Sequence, residues 1–225
     1  MKNHILALTV LLASGACSDS SSDGPTLSLY TNIVTFKCND TGKAVFEFQE
    51  INDSPVVRLE TIGMVNESQA PPGTRLLMAY SLPEGVAYGT DCTDIQVRAL
   101  QTIFTDTVSA LPSPIAKPAP IYLITLYRTG NYLNFTASMP HLPSRKYFIT
   151  AEQESLDTDT AQLYLSTRVP EEKPTFNSTQ TGSVDISPVW DLTGVKAVKV
   201  HVNNTNNVYR TSFIFPKQNQ TTTQK

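Results

Sequence analysis

The sequence predicts an all-β protein in which a small five-stranded barrel precedes a β-sandwich. Three observations carry this expectation. Apolar and polar residues alternate with period two through short runs along almost the whole chain. Clusters of Gly, Pro, Asn and Asp separate the runs. A segment with prolines at 112, 114, 118 and 120 interrupts the alternation and divides the chain.

The chain opens MKNHILALTVLLASGACSDSSSDG. Lys2 supplies a positive start and Ile5 to Ala13 a short apolar run. Ser14, Gly15 and Ala16 are the small residues that a signal peptidase needs. A bilayer core requires about 20 apolar residues, so this run does not span one. Residues 1–16 are therefore expected to be a signal peptide. Cys17 follows at once, and small residues ahead of a cysteine resemble a bacterial lipobox. In that pathway the thiol takes a diacylglycerol and the freed amino terminus is acylated, which anchors the chain to a membrane. Residues 17–27 then form a lipidated Cys and a flexible, mildly acidic tether with Asp19 and Asp23. The expected place is the outer membrane of a Gram-negative bacterium, at its periplasmic face or on the cell surface.

The barrel is expected over residues 28–110, with strands near 30–38, 43–51, 55–62, 74–82 and 92–104. In FEFQ, Phe46 and Phe48 share one face and Glu47 and Gln49 the other. Val57 and Leu59 alternate with Arg58 and Glu60. Leu76, Met78 and Tyr80 alternate with Leu77, Ala79 and Ser81, and Ile95 and Val97 with Gln96 and Arg98. Asn39–Gly42, Asn52–Pro55, Pro71–Gly73 and Pro83–Gly85 carry the turn chemistry between these strands. Such alternation marks half-buried antiparallel strands, and five of them suit a small barrel.

Residues 111–120 read as a semi-rigid, Pro-rich linker, because proline cannot donate to a sheet ladder and favours an extended chain. The sandwich is expected over 121–216. IYLITLY and NYLNFTASM flank Thr129-Gly130-Asn131 as a hairpin. KYFITAEQES, AQLYLSTRV, SVDISPVWDL, VKAVKVHVNN and YRTSFIF supply further strands, with PEEKPTFNSTQTG a polar stretch and Asn203–Asn207 a polar turn. Val198, Val200 and Val202 face inward, opposite Lys199 and His201. Residues 217–225 form a polar tail.

Composition restricts the function. Removing the leader from 225 residues leaves 209, enough for one large or two small domains. Only 16% of residues are charged and the formal net charge is −3, so no basic patch points to nucleic acid. With Cys17 lipidated, Cys38 and Cys92 remain, and they either pair as a disulfide or stay as thiols. The chain holds no G-x-S-x-G, H-E-x-x-H, P-loop or G-x-G-x-x-G sequence. His141 and His201 read as surface histidines without partners. No catalytic group, cofactor or metal site is therefore expected, and the chain reads as a non-enzyme. Glu152, Glu154, Asp157 and Asp159 fit a solvated hairpin turn better than a calcium loop, and Trp190 fits a core position. Tyr122, Tyr132, Tyr164 and Tyr209 lie on expected outer faces. They are candidate contacts for a glycan or protein ligand, and equally candidates for cross-strand packing.

The order of lipobox, five-strand barrel, proline connector and sandwich resembles the NigD-like lipoproteins of gut-type anaerobic bacteria. TRLLMAYSL resembles that family's strand after G-x-R, and GNYLNFTASM its G-[DN]-Y-L-N-[IF] strand. TIFTDTV replaces the family's I-x-T-K segment. The resemblance implies an N-terminal OB-like five-stranded barrel followed by a C-terminal β-sandwich, and it brings no residue-level activity. The expected function is a non-catalytic, envelope-anchored lipoprotein with a binding or accessory role toward a glycan, peptide or protein. A fimbria-like structural subunit is the alternative, and a hydrolase with scattered residues a more distant one.

Overall fold

The alternation in the first half of the chain closes on itself. β1 (Leu29–Asp40), β2 (Lys43–Phe48), β3 (Val57–Ile62), β4 (Arg75–Ser81) and β5 (Thr93–Thr102) form a closed barrel in the order β1-β2-β3-β5-β4. β1 serves both ends of this order. Its first part pairs with β4 and its second with β2, and a bulge between Phe36 and Cys38 lets the strand bend. The inward residues include those of the period-two reading, Phe46, Leu59, Leu76, Met78, Tyr80 and Ile95, which are buried in one cluster with Phe36 of β1. The protein is thus an OB-like barrel at its N-terminal end. The computed structural model describes residues 28–86, 89, 93–111, 118–140, 146–168 and 176–217. The expected leader, Cys17 and the expected tether, Cys92, His141, residues 112–117 and residues 218–225 lie outside the described residues.

Two sheets face each other in the second body. β14 (Ser212–Pro216), β13 (Ala197–Val202), β11 (Thr160–Arg168), β10 (Lys146–Glu152) and β7 (Ser109–Leu111) form one. β6 (Phe104–Thr107), β12 (Asn177–Asp185), β9 (Tyr132–Pro140) and β8 (Tyr122–Thr129) form the other. Their inner faces enclose a second core with Leu133, Phe135, Tyr147, Leu163, Leu165, Val184, Val198 and Val200. Trp190, at the end of the short helix α1 (Ser187–Trp190), belongs to this core. The acidic stretch after β10 is a 3-10 turn, Gln153–Asp157, inside the β10–β11 hairpin. Buried Ser155 holds it, donating to the Glu152 carbonyl at 2.7 Å and accepting from the Gln162 N–H at 2.8 Å.

The structure departs from the sequence reading in three places. Residues 104–110, expected in the barrel range 28–110, and Leu111, expected to open the linker, belong to the sandwich: β6 lies parallel to β12 and β7 parallel to β10. The chain changes sheets between them at buried Val108, whose N–H donates to the Asp185 carbonyl at 2.9 Å. The chain therefore leaves the barrel at Ile103, and the proline segment follows β7 and precedes β8, both sandwich strands. Second, β12 starts at Asn177 within the polar stretch and ends at Asp185, where α1 replaces the expected continuation. At one inward position of this strand stands Gly182, where a Cβ would sit 2.4 Å from the Phe135 ring, so that ring takes the place of an apolar side chain. Third, parallel pairs join β3 to β5 and β11 to β13 as well, and local alternation does not reveal strand direction.

Candidate functional site

Arg75 is placed by a turn. Pro71, Pro72 and Gly73 reverse the chain, with Gly73 at φ +91, a conformation that glycine takes without steric cost. The Gly73 N–H donates to the Phe36 carbonyl at 2.8 Å, and the Phe36 N–H to the Thr74 carbonyl at 2.9 Å. The next residue, Arg75, opens β4 opposite Thr35. Its side chain leaves the barrel and reaches the outer face of the four-stranded sheet. Nε donates to Ser183 Oγ at 3.1 Å, Nη1 to Thr35 Oγ1 at 2.9 Å and Nη2 to Asn134 Oδ1 at 3.0 Å. The guanidinium lies over the Tyr132 ring, 4.3 Å from its centroid. Asn134 Oδ1 also accepts from Ser183 Oγ, and Asn134 Nδ2 donates to Thr129 Oγ1. Arg75 is 6% exposed, and burial lowers its pKa to about 10. None of its hydrogen-bond partners carries a charge.

A second arginine at the same junction is arranged differently. Arg128 of β8 is 1% exposed and forms a two-pronged pair with Asp53 from the β2–β3 turn, Nη1 to Oδ1 at 2.8 Å and Nη2 to Oδ2 at 2.5 Å. Nη1 also donates to the Gly130 carbonyl at 2.6 Å, and the guanidinium covers the Trp190 ring at 4.2 Å. Asn52, at φ +50, donates its N–H to the Arg128 carbonyl at 2.6 Å and accepts from the Gly130 N–H at 2.7 Å. The barrel is thus fastened to the sandwich at two points, each built on a buried arginine.

Clefts open along this junction. One of about 210 Å³ is lined by Arg75, Tyr132, Lys37, Glu47 and Gln49, among others. Another of about 320 Å³ shares Arg75 and Tyr132 but also holds Asp106 and Asp185. A third, of about 430 Å³, lies between Leu77 and Gln101 of the barrel and Thr179 and Thr181 of β12. The β2–β3 face, which OB folds use for oligomeric ligands, is instead covered by ion pairs. Lys37 pairs with Glu47, Lys43 with Glu60 and Asp94, and Arg58 with Glu60. The bonds to Asp94 and then Glu60 raise the Lys43 pKa.

The four expected tyrosines do not meet in one groove. Tyr122 is exposed on β8 and lines a cleft of about 690 Å³ with Pro120 and Met139. Tyr132 lies under Arg75. Tyr164 stacks on His201 with centroids 5.0 Å apart, and its hydroxyl donates to Glu152 at 3.4 Å. Burial and Glu152 raise the Tyr164 pKa. Tyr209 packs against Phe213 at 5.6 Å. Cys38 is an exposed free thiol on β1, and Cys92 lies outside the described residues. His201 is half-buried and has a partner, Gln162 Oε1 at 2.7 Å. Among the described residues, no group of three or more His, Cys, Asp or Glu side chains is placed to hold a metal.

Sequence reasoning passed over Arg75, Arg128 and Asp53. For Arg128 a signal was present: it stands in phase with Leu126, on the inward side of β8.

No protein-family model matches the chain, and no curated protein matches it. Solved structures share its fold. A protein of unknown function from Bacteroides vulgatus superposes with TM-score 0.66 at 14% identity, covering 86% of this chain and 93% of that one. A NigD-like immunity protein from Bacteroides caccae gives 0.55 at 13% identity, over 85% of this chain and 93% of that one. A candidate lipoprotein from Bacteroides fragilis gives 0.54 at 10% identity, over 84% and 96%. The two-body architecture, barrel and sandwich together, is therefore common to these proteins.

Proposed function

We propose that this chain is a non-catalytic lipoprotein, anchored at Cys17 in the outer membrane of a Gram-negative bacterium, that binds a protein partner through the barrel–sandwich junction. The fold carries the reading: a candidate lipoprotein and a NigD-like immunity protein share it over nearly their whole length. The small residues followed by Cys17 support the anchor. The junction supports binding, because two arginine clamps hold its clefts in a preformed shape, and a preformed site loses little conformational entropy on association. The ion-paired β2–β3 face argues against nucleic acid, since phosphate contacts draw on free Lys and Arg. A glycan ligand is the alternative occupant.

The anchor is tested by labelling cells with palmitate and separating envelopes from soluble protein. Wild-type chain takes label and sediments with the outer membrane. Cys17→Ala takes none and moves to the soluble fraction. An unlabelled wild-type chain, or a Cys17→Ala chain that still sediments, would overturn the anchor. Cross-linking on whole envelopes then tests for a bound protein.

A further inference from the structure

The two buried arginines of the junction pose a question of charge. Arg128 has a carboxylate, Asp53, on both terminal nitrogens. Arg75, almost as deeply buried, has only hydroxyl and amide oxygens. A guanidinium carries one N–H on Nε and two on each terminal nitrogen. Ser183 takes the Nε donor, Thr35 one from Nη1 and Asn134 one from Nη2. One N–H on each terminal nitrogen remains without a partner among the described residues. A planar fork of this kind matches the two oxygens of a carboxylate. A buried cation without a countercharge is also costly, so an incoming anion gains more here than at a solvated lysine.

The two clefts beside Arg75 differ in their electrostatics. The larger already contains Asp106 and Asp185, which repel a carboxylate. The smaller contains Lys37 at its rim, with Glu47 as that lysine's partner, so Arg75 leaves it with excess positive charge. Its volume of about 210 Å³ is below the roughly 300–1,000 Å³ of sites that enclose whole small ligands. It suits one side chain, with Tyr132 as an aromatic wall.

We propose that this smaller cleft receives an aspartate or glutamate side chain of a partner protein, whose carboxylate takes the two spare N–H donors of Arg75. The inference rests on the binding role proposed above and names the chemistry of the partner. Arginine is enriched among the few residues that carry most of the binding energy of an interface, and here the arginine is supplied by this chain.

The probe is N-acetylglutamate N-methylamide, with the glutamine analogue as control, added to the lipidated chain in detergent micelles. Nitrogen-15 NMR of the arginine side chains reads the result. The glutamate probe should shift the Arg75 resonances saturably at millimolar concentration, and the glutamine analogue should not. Arg75→Lys keeps the charge but loses the fork, and should weaken binding at least tenfold. Lys37→Gln, at an exposed rim position whose ion pair with Glu47 contributes little to stability, should weaken it severalfold with little change in the unfolding midpoint. It keeps the test valid if the Arg75 variant unfolds. Equal responses to the two probes, or no saturable shift, would overturn the proposal. Tighter binding of glucuronate or inorganic phosphate would overturn it too, by assigning the cleft to a sugar acid or a free anion. If the probe fails while envelope cross-linking still captures a protein, the inference falls and the binding role stands.

Discussion

A histidine on an outward strand position need not be an idle one. His201 shares the outer face of the five-stranded sheet with Tyr164 stacked on it, Gln162 bonded to Nε2, Lys199 beside it and Glu152 beyond. Burial lowers its pKa first, Lys199 adds to that, and Glu152 opposes both. Protonation is thus harder in the folded chain than in the unfolded one. Around pH 6.5 the unfolded chain binds more protons, so stability is fully present above that pH and declines as pH falls toward the lowered folded value. Urea midpoints measured between about pH 7.5 and pH 5 should fall on the acid side, and His201→Asn should flatten that fall. An unchanged slope in the variant would assign the effect to other groups. The same lesson holds for the arginines. Arg75 stands in the outward phase of β4 with Leu77 and Ala79, two apolar residues that hint at a covered face. What covers it, Asn134 and Ser183, lies 59 and 108 residues away, a distance no local pattern spans. Yet the two segments that carry the family resemblance, Gly73–Arg75 and Gly130–Phe135, meet at this point. Arg75 joins Tyr132 and Asn134 there.

Strands show which part of the fold is local. The barrel strands lie close to their expected positions because each needs only alternation and a turn. β8 shows the opposite case. It is an edge strand of the four-stranded sheet, and a bare edge invites pairing with another chain. Asn203–Asn206, readable in sequence only as a polar turn, covers its first half. The Ile121 N–H donates to the Asn203 carbonyl and the Thr205 N–H to the Ile121 carbonyl, both at 2.9 Å. Asn204 Oδ1 accepts from Leu123 N–H at 3.1 Å, and Asn206 Nδ2 donates to the Leu123 carbonyl at 2.8 Å. Asn52 of the barrel covers the far end. Strand addition at β8, the step that a fimbria-like subunit would need there, has to displace these asparagines. Asn204→Ala removes the acceptor of the Leu123 and Asn206 N–H groups and the donor to the Arg210 carbonyl. We expect a loss of about 1–3 kcal/mol in urea unfolding, together with self-association in size-exclusion chromatography. A variant as stable and as monodisperse as wild type would show that the cap is dispensable.

At the scale of the whole molecule, the position of the crossing decides how the two bodies behave. A proline linker between domains would let barrel and sandwich move and unfold separately. The chain instead passes from β5, ending at Thr102, to β6, starting at Phe104, through Ile103 alone. The barrel runs almost directly into a sandwich edge strand. That edge was not legible, because β6 and β7 find their partners in β12 and β10, far ahead in the chain. The arginine clamps add fixed contacts on either side of this short crossing. Separate cores therefore should not give separate transitions. Calorimetry of the wild-type chain should show one unfolding event whose calorimetric and van't Hoff enthalpies agree. Asp53→Ala leaves Arg128 buried without its carboxylate. Breaking a buried pair in this way costs roughly 3–5 kcal/mol, and the lower end applies because the Asp53 side chain is 41% exposed. The double variant Asp53→Ala/Arg75→Gln releases both clamps, and the barrel, with the smaller core, should then melt ahead of the sandwich as a distinct first step. Two transitions already present in wild type would mean that the clamps orient the bodies without coupling their stability. A single transition retained in the double variant would move the coupling to the Ile103 crossing itself.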